Sequence, residues 1–416
     1  MRTWLIIVLP FVVQGLAQAA LAAEPGPSGT GDWRVGTPIV TYWAGPAMTD
    51  AVARQMAEGG FNLVWCAEKE LDVAQRHGLR AQLRDGLLSP AALGDPARRE
   101  KLDALIDRVR NHPALYSYYI TDEPSAAEFP GLGKLVAYLR QRDPAHLAYI
   151  NLFPTYANNQ QLGTTGDTVT AYREHLRQYV EVVKPSLVSY DHYQLAGTGD
   201  LDGYFLNLAM IRRAAQGAGV PFLNIVQACS WTPARRVPTG DEMRYLVYTT
   251  LAYGAQGISY YVYCHPGHTG AIALPDGTPT PIYHALKTIN REFAAIAKEL
   301  QPLGSLVVYH AGMTPPGTVP LPSNAPFRLD PPLPVLTYQP PERVRGVLLG
   351  YFGEPNQPSH VVVVNLDYKT ELVLTLTGPG NLETFDAADG NWSTAGSRRV
   401  EMRLQRGGGK LVRVSE

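Results

Sequence analysis

Between about residues 38 and 300 the chain alternates between two textures. Short runs of β-branched and aromatic residues are each followed by a stretch with apolar positions at helical spacing. Eight runs can be read, at 39–43, 61–66, 79–83, 115–120, 147–152, 187–190, 222–226 and 258–264. Eight helical stretches accompany them, at 49–59, 70–77, 96–111, 132–142, 168–183, 201–217, 241–253 and 281–300. Thr49-Asp50 and Thr239-Gly240-Asp241-Glu242 place caps and acids at helix starts, and Gly59-Gly60, Gly78, Gly219 and Gly254 follow helix ends. Consecutive strand–helix units predict a parallel sheet with right-handed crossovers, closed into a (β/α)8 TIM barrel. An open doubly wound sheet is the competing arrangement, but no Gly-rich phosphate loop follows the first run.

Beyond residue 305 the texture changes. A proline-rich stretch at 315–341 has no periodicity and reads as a connection. Short alternating runs follow at 347–352, 360–366, 371–376, 400–404 and 410–414, with turn signals at 378–380 and at Asp389-Gly390-Asn391. These predict a small antiparallel β-sandwich. The expected division is a barrel over 36–304 and a second domain over 305–416. Trp392, just after a turn, tests the second domain's role. A tryptophan exposed on a flat face favours glycan binding, and a buried one favours structure.

The first 23 residues read as an export signal. Arg2 precedes the apolar run 5–13, and Ala20-Leu21-Ala22 supplies small residues for cleavage after Ala22 or Ala23. A secreted or periplasmic protein is expected. No later segment reaches the roughly 20 apolar residues of a spanning helix, so no membrane insertion of the mature chain is expected.

With 36 Lys plus Arg against 37 Asp plus Glu, the net charge is −1. That balance argues against nucleic acid as a partner and against a polybasic membrane surface. Cys66, Cys229 and Cys264 are odd in number, which excludes a disulfide scaffold. Cys229 and Cys264 end neighbouring strands and form the one candidate pair. Nothing in the chain specifies an oligomeric state.

In such a barrel the site lies at the C-terminal ends of the strands. Reading round the rim gives Trp43, Glu68, Arg84, Asp122-Glu123-Pro124, Asn151, Asp191-His192-Tyr193, Gln227, Trp231, Tyr261, Tyr263, Cys264 and His265, with Tyr156 and His268 in loops. Carboxylates, amides and imidazoles among aromatic rings suit a carbohydrate, whose hydroxyls need polar partners and whose C–H faces stack on rings. Glu123 is the candidate general acid, because Asp122 beside it raises its proton affinity. The same tripeptide also reads as a helix N-terminus with acids placed for the dipole. His265 and His268 lack a third ligand fixed by spacing, so no metal or cofactor is expected.

Tyr118-Tyr119-Ile120-Thr121-Asp122-Glu123-Pro124 resembles the strand-4 signature of clan A glycoside hydrolases. Asp191-His192-Tyr193 and the segment from Leu251 to Ile258 resemble those of bacterial β-galactosidase-like barrels. The resemblance spans roughly 40–300 and implies that Glu123 is the acid/base. It also implies a glutamate nucleophile at the end of strand 7, where this chain has Gln227, and a tryptophan floor on strand 8, where Cys264 is expected to stand. Asp191 and Glu68 are the remaining strand-end carboxylates, with Asp191 preferred as the second catalytic group if it stands across from Glu123. Trp43, Glu68, Asp122, Asn151, His192, Tyr193, Gln227, Trp231, Tyr263 and His265 are the expected substrate-binding residues. Three readings stay open: a glycoside hydrolase, a polysaccharide lyase with a Tyr or His base, and a barrel that binds glycans without cutting them. Arg84, Arg235 and Arg236 are candidate partners for an acidic sugar.

Overall fold

The computed structural model describes residues 35–415. The expected leader over 1–23 lies outside the described residues. Eight strands form one parallel sheet: β1 (Ile39–Val40), β2 (Leu63–Cys66), β3 (Arg80–Leu83), β4 (Leu115–Asp122), β5 (Leu147–Leu152), β6 (Val188–His192), β7 (Phe222–Gln227) and β8 (Gly257–Tyr261). From β2 to β8 each strand pairs with its sequence neighbours, and β8 returns to β1. The β1–β2 seam is closed by the Asn62 N–H donating to Val40 O at 3.0 Å, while Asn62 Oδ1 accepts from Val40 N–H at 3.0 Å. The (β/α)8 barrel is therefore the fold.

Eight main helices surround it: α1 (Asp50–Glu58), α2 (Leu71–Arg76), α3 (Pro96–Val109), α4 (Phe129–Arg142), α5 (Thr168–Gln178), α6 (Tyr204–Ala218), α7 (Gly240–Ala252) and α8 (Pro281–Leu300). Caps set their starts. Thr49, Asp95, Asp167 and Thr239 each accept a first-turn backbone N–H, and Thr239 forms a capping box with Glu242. The helix α8 shows how pattern becomes packing. Ile282, Leu286, Ile289, Phe293, Ile296 and Leu300 fall on one stripe and are all buried. Removing each such side chain from water contributes about 1.5–3 kcal/mol. Inside the barrel, Ile39, Leu63, Leu147, Tyr149, Leu187, Leu223 and Ile225 fill the lower and middle layers.

Four of the strand limits that differ from the sequence expectation bear on the site. The first strand stops at Val40 and rejoins the sheet only as a bridge from Trp43 to Tyr261. The eighth ends at Tyr261, three residues before Cys264. The fourth runs on to Asp122 and the sixth to His192, so Asp122 and Asp191 are strand residues.

The rest of the chain builds a sandwich from β9 (Gly304–Gly312), β10 (Gly346–Glu354), β11 (Gln357–Asn365), β12 (Leu372–Thr377), β13 (Leu382–Asp386), β14 (Asn391–Thr394), β15 (Arg399–Leu404) and β16 (Gly409–Val414). The larger sheet runs β9-β10-β11-β16-β13-β14, with Val319–Pro320 at the β9 edge; Arg328–Leu329, β12 and β15 form the smaller. The sequence reading lacked β9, β13 and β14, which have no clean alternation of polar and apolar positions. The larger sheet is apolar on both faces. Leu349, Tyr351, Val361, Val363 and Val412 face the smaller sheet. Leu348, Phe352, Val362, Val364 and Leu411 join the barrel's core. Two-residue periodicity on β10 and β11 thus serves two interfaces.

Close approach fixes Gly350. A Cβ there would lie 2.0 Å from the Ala252 carbonyl oxygen at the end of α7. Gly350→Ala must push the sheet off the barrel and is expected to cost about 1–3 kcal/mol by overpacking, read as a lower denaturation midpoint. Trp392 answers the question set by the sequence. It is partly buried against Phe385, its Nε1 donates to Glu299 of α8 at 3.2 Å, and Arg413 lies 4.1 Å over its ring. It joins sandwich to barrel rather than offering a flat binding face.

Candidate active site

Two local departures from regular backbone assemble the acidic group. On β4, Ser117 and Tyr119 point into the barrel, where Ser117 donates to Gln82 and Tyr119 packs on Trp43. Strict alternation would send Thr121 inward and Asp122 outward. A bulge between Tyr119 and Thr121 shifts the pairing, so that Asp122 aligns with Asn151 of β5. Such bulges re-aim side chains beside functional sites. Glu123 follows with φ +46°, the left-handed region that costs a non-glycine residue about 1–3 kcal/mol. Its N–H still donates to Asn151 O at 2.9 Å. Together these turns bring two successive acidic side chains to one mouth.

Asp191 of β6 is the third acid. It is 3% exposed, and its carboxyl lies within hydrogen-bonding reach of Glu123. Asn151 spans the group: its Nδ2 donates to Asp122 and to Asp191, each at 3.0 Å, and its Oδ1 accepts from Ser189 at 2.9 Å. Ser189 in turn lies 2.7 Å from the Tyr149 hydroxyl.

Burial acts first on all three acids. It lifts Glu123 to about 7; the Asp122 charge adds to this, and the bond to Asp191 opposes it. Asp191 is pushed well above the ordinary carboxyl range by burial, then by Glu123 and Asp122. Two adjoining buried carboxyls cannot both ionise near neutral pH, so this pair holds one shared proton and titrates as a unit. Asp122 opens to water along the cleft, but its carboxyl end sits among protein atoms. The latter governs its proton affinity, raised to about 6 against the pull of Asn151.

Tyrosines ring the acids. The hydroxyls of Tyr156, Tyr193 and Tyr261 all feel the Asp191 charge, and burial pushes each upward, Tyr261 to about 12. Tyr261 packs 5.2 Å from both Tyr193 and Trp231, and its hydroxyl lies 3.1 Å from His268 Nε2. This forms one aromatic wall. Trp43, Trp65, Tyr119 and Tyr149 form the other, with Trp43 and Trp65 centroids 4.8 Å apart.

The structure therefore brings together Glu123, Asp191, Asp122, Asn151, Tyr193, Trp43 and Trp231. Asn151 and His192 have other work than holding a sugar. The Asn151 amide is occupied by the two aspartates. His192 is 1% exposed, kept neutral by burial at about 4, and its Nδ1 lies 2.9 Å from Asn207. Glu68, expected at the substrate, turns outward to a two-point pair with Arg108 of α3 at 2.6 and 2.9 Å. Tyr263 packs outside the barrel between Tyr42 and Phe61 and donates to Gln55 at 2.6 Å. His265 is on an exposed loop, its ring 4.1 Å from that of His268. No group of three or more His, Cys, Asp or Glu among the described residues is arranged to hold a metal ion. The three cysteines are unpaired, and Tyr261, not Cys264, occupies the wall at the end of β8.

Gln227 is the clearest correction. It is fully buried. Its Oε1 accepts from Leu195 N–H at 3.1 Å, and its Nε2 donates to the carbonyls of Leu195, Cys229 and Arg236 at 3.1, 3.3 and 2.8 Å. The amide pins two loops, and none of it is left for a substrate. Gln227→Glu is accordingly expected not to create a nucleophile. A carboxylate would face three carbonyls with one donor, costing about 1–3 kcal/mol or more. Unchanged turnover with a lowered melting temperature is the expected result.

Sequence reasoning missed Ser189, Tyr149 and Trp65. The available signal was strand periodicity, since Ser189 lies two residues before Asp191 and Tyr149 two before Asn151, on the same inward faces.

No protein-family model and no curated protein matches the sequence. Among solved structures, the chain is similar to a β-galactosidase from the psychrophilic Marinomonas ef1, at 13% identity and a TM-score of 0.47, over 66% of this chain and 63% of that enzyme. The matched region thus spans less than two thirds of that enzyme's length. It is also similar to an endo-β-1,4-mannanase from Thermotoga petrophila, at 9% identity and a TM-score of 0.42, over 92% of each chain.

Proposed function

We propose that this protein is a glycoside hydrolase whose proton donor is the Glu123–Asp191 pair. The observation that carries the reading is a buried carboxyl pair sharing one proton, at the C-terminal mouth of a parallel barrel and between two aromatic walls. Glu123, the more open member, delivers the proton to the glycosidic oxygen as the bond to the anomeric carbon breaks. Asp122, ionised above about 6, lies beside the pair and stabilises the positive charge that develops on the sugar. A water oxygen then bonds to the anomeric carbon, and its proton is left on the carboxylates.

Direct contact between Glu123 and Asp191 removes the arrangement in which a water fits between them. Inverting enzymes separate their two acids by about 6.5–9.5 Å for that purpose. Asp191 is therefore assigned to holding and resupplying the proton. The hydroxyls facing the acids are pushed upward, and His192 is held neutral by burial, with its Nδ1 against Asn207. The hydroxyls therefore stay protonated, and His192, 1% exposed and lowered to about 4, is a weak base shielded from a substrate, which disfavours a lyase.

The test is product analysis on a panel of neutral and uronate-containing oligosaccharides, with wild type and Glu123→Gln side by side. New reducing ends that vanish in the variant support the reading. Unsaturated products absorbing in the ultraviolet would replace hydrolysis by elimination, and binding without any turnover would replace it by a non-catalytic role. We also propose that the protein acts outside the cytoplasm after cleavage behind Ala22 or Ala23. An exported protein whose sequence starts at Ala23 or Glu24 supports this, and retention of Met1 in the cytoplasm would refute it.

A further inference from the structure

The mouth contains two cations that the proposed chemistry does not use. Arg84, at the end of β3, lies 5.0 Å over the Trp65 ring. Arg235, in the loop after β7, lies 5.7 Å over the Trp231 ring. Among the described residues neither guanidinium has an ion pair or hydrogen bond, and Arg235 Nε is buried with no partner at all. Most arginines among the described residues have an ion pair or a side-chain hydrogen bond. Arg236, next in sequence, is bound to Asp200 and Glu242 and so is not a third free cation. A buried guanidinium nitrogen without an acceptor is costly, and a bound group can supply what is missing.

Each cation covers a ring of one of the two aromatic walls, Trp65 beside Trp43 and Tyr119, and Trp231 beside Tyr193. The Tyr119 hydroxyl feels Arg84 and Asp122 together, and the Tyr156 hydroxyl feels Arg235 together with Asp191 and Glu123. The strands β3 and β7 stand four places apart in an eight-stranded ring, on opposite sides of the same rim. A chain of sugars lying across the acids would therefore meet one planar, two-pronged cation on each side. Carboxylates fit that fork at two points.

We propose that the substrate is an acidic glycan, with hexuronate carboxylates bound by Arg235 on one side of the cleaved bond and by Arg84 on the other. This rests on the hydrolase reading of the same site but is tested apart from it. Calorimetric titration of the full chain with oligogalacturonate, oligomannuronate and glucuronate-bearing oligosaccharides reads binding without turnover. Each is compared with its carboxyl-reduced counterpart and with a sulfated neutral oligosaccharide.

The expected result is tight binding of at least one uronate series and about tenfold or more weaker binding after carboxyl reduction. Arg235→Ala should lose about the same factor for the acidic ligand and little for the reduced one, and Arg235→Lys should recover only part of it. Arg84→Ala should add a separate loss, since the two sites are far apart. Equal affinity for acidic and reduced ligands, no uronate binding, preference for the sulfated ligand, or unchanged uronate binding in both arginine variants would each overturn the proposal. Cleavage confined to neutral glycans would overturn it and leave the hydrolase standing. Uronate binding that needs both arginines, without cleavage, would support it and sink the hydrolase.

Discussion

Glu123→Gln is expected to lower kcat/KM by about 10²–10⁴-fold, the usual contribution of a positioned general acid. Glutamine keeps the shape and a hydrogen bond to Asp191 but carries no transferable proton. The pH profile of the wild type should be narrow. Activity needs the Glu123–Asp191 proton, which is lost as pH rises through about 7, and the Asp122 charge, which is lost as pH falls through about 6. Asp122→Asn removes the acidic limb. It also moves the basic limb to lower pH, because one of the two causes lifting Glu123 is gone. A basic limb that stays in place would show that Asp122 does not act on Glu123.

The same shifts carry a stability consequence. Glu123 binds its proton more tightly in the folded chain than in the unfolded one. Its contribution is therefore full below the ordinary value of 4.5 and is lost as pH rises through about 7. Glu123→Gln should melt at a higher temperature than wild type at pH 8 while being far less active. Active-site strain and burial commonly trade stability for function in this way.

Arg236→Ala is expected to produce the largest loss of stability, about 3–5 kcal/mol, because it strands two buried acids. Asp200 and Glu242 are only 5% and 6% exposed at the side chain, and both bind the Arg236 guanidinium at 2.7 Å. Tyr368 of the sandwich completes the network by donating to Asp200 at 3.0 Å. The Arg236 carbonyl accepts from Gln227, and its N–H reaches Leu195 O at 3.2 Å. The network therefore fastens the loops that carry Trp231 and Arg235 to both the barrel and the sandwich. Activity should fall with stability in Arg236→Ala. Tyr368→Phe, which leaves the ion pairs intact, should cost only about 0.5–1.5 kcal/mol. Denaturant unfolding of both variants checks the ranking, and equal losses would show that the ion pairs add nothing beyond the hydroxyl.

How much of this was legible in the chain follows from what each feature depends on. Alternating textures recorded eight strand–helix units, because a barrel strand and its outer helix must each bury a face with its own period. Polar and aromatic residues at the ends of those runs located the mouth, and Asp122-Glu123-Pro124 marked the acids. The strands β9 and β13 were hidden because their burial depends on which sheet they join. The sequence could not say that a bulge between Tyr119 and Thr121 would turn Asp122 inward, since strict alternation points it out. Nor could it say that Glu123 would sit at φ +46° against Asp191, or that Gln227 would be consumed by three loop carbonyls. Glu68, Tyr263 and His265 share strand-end positions with true site residues and differ only in the neighbour each one meets. The period of burial is written along the chain, and so the sequence alone determined the barrel and its rim. Which rim side chains meet, and which proton they share, was decided by contacts between residues distant in the chain, 40 positions apart for Asn151 and Asp191 and 208 for Tyr263 and Gln55, and only the tertiary structure holds those.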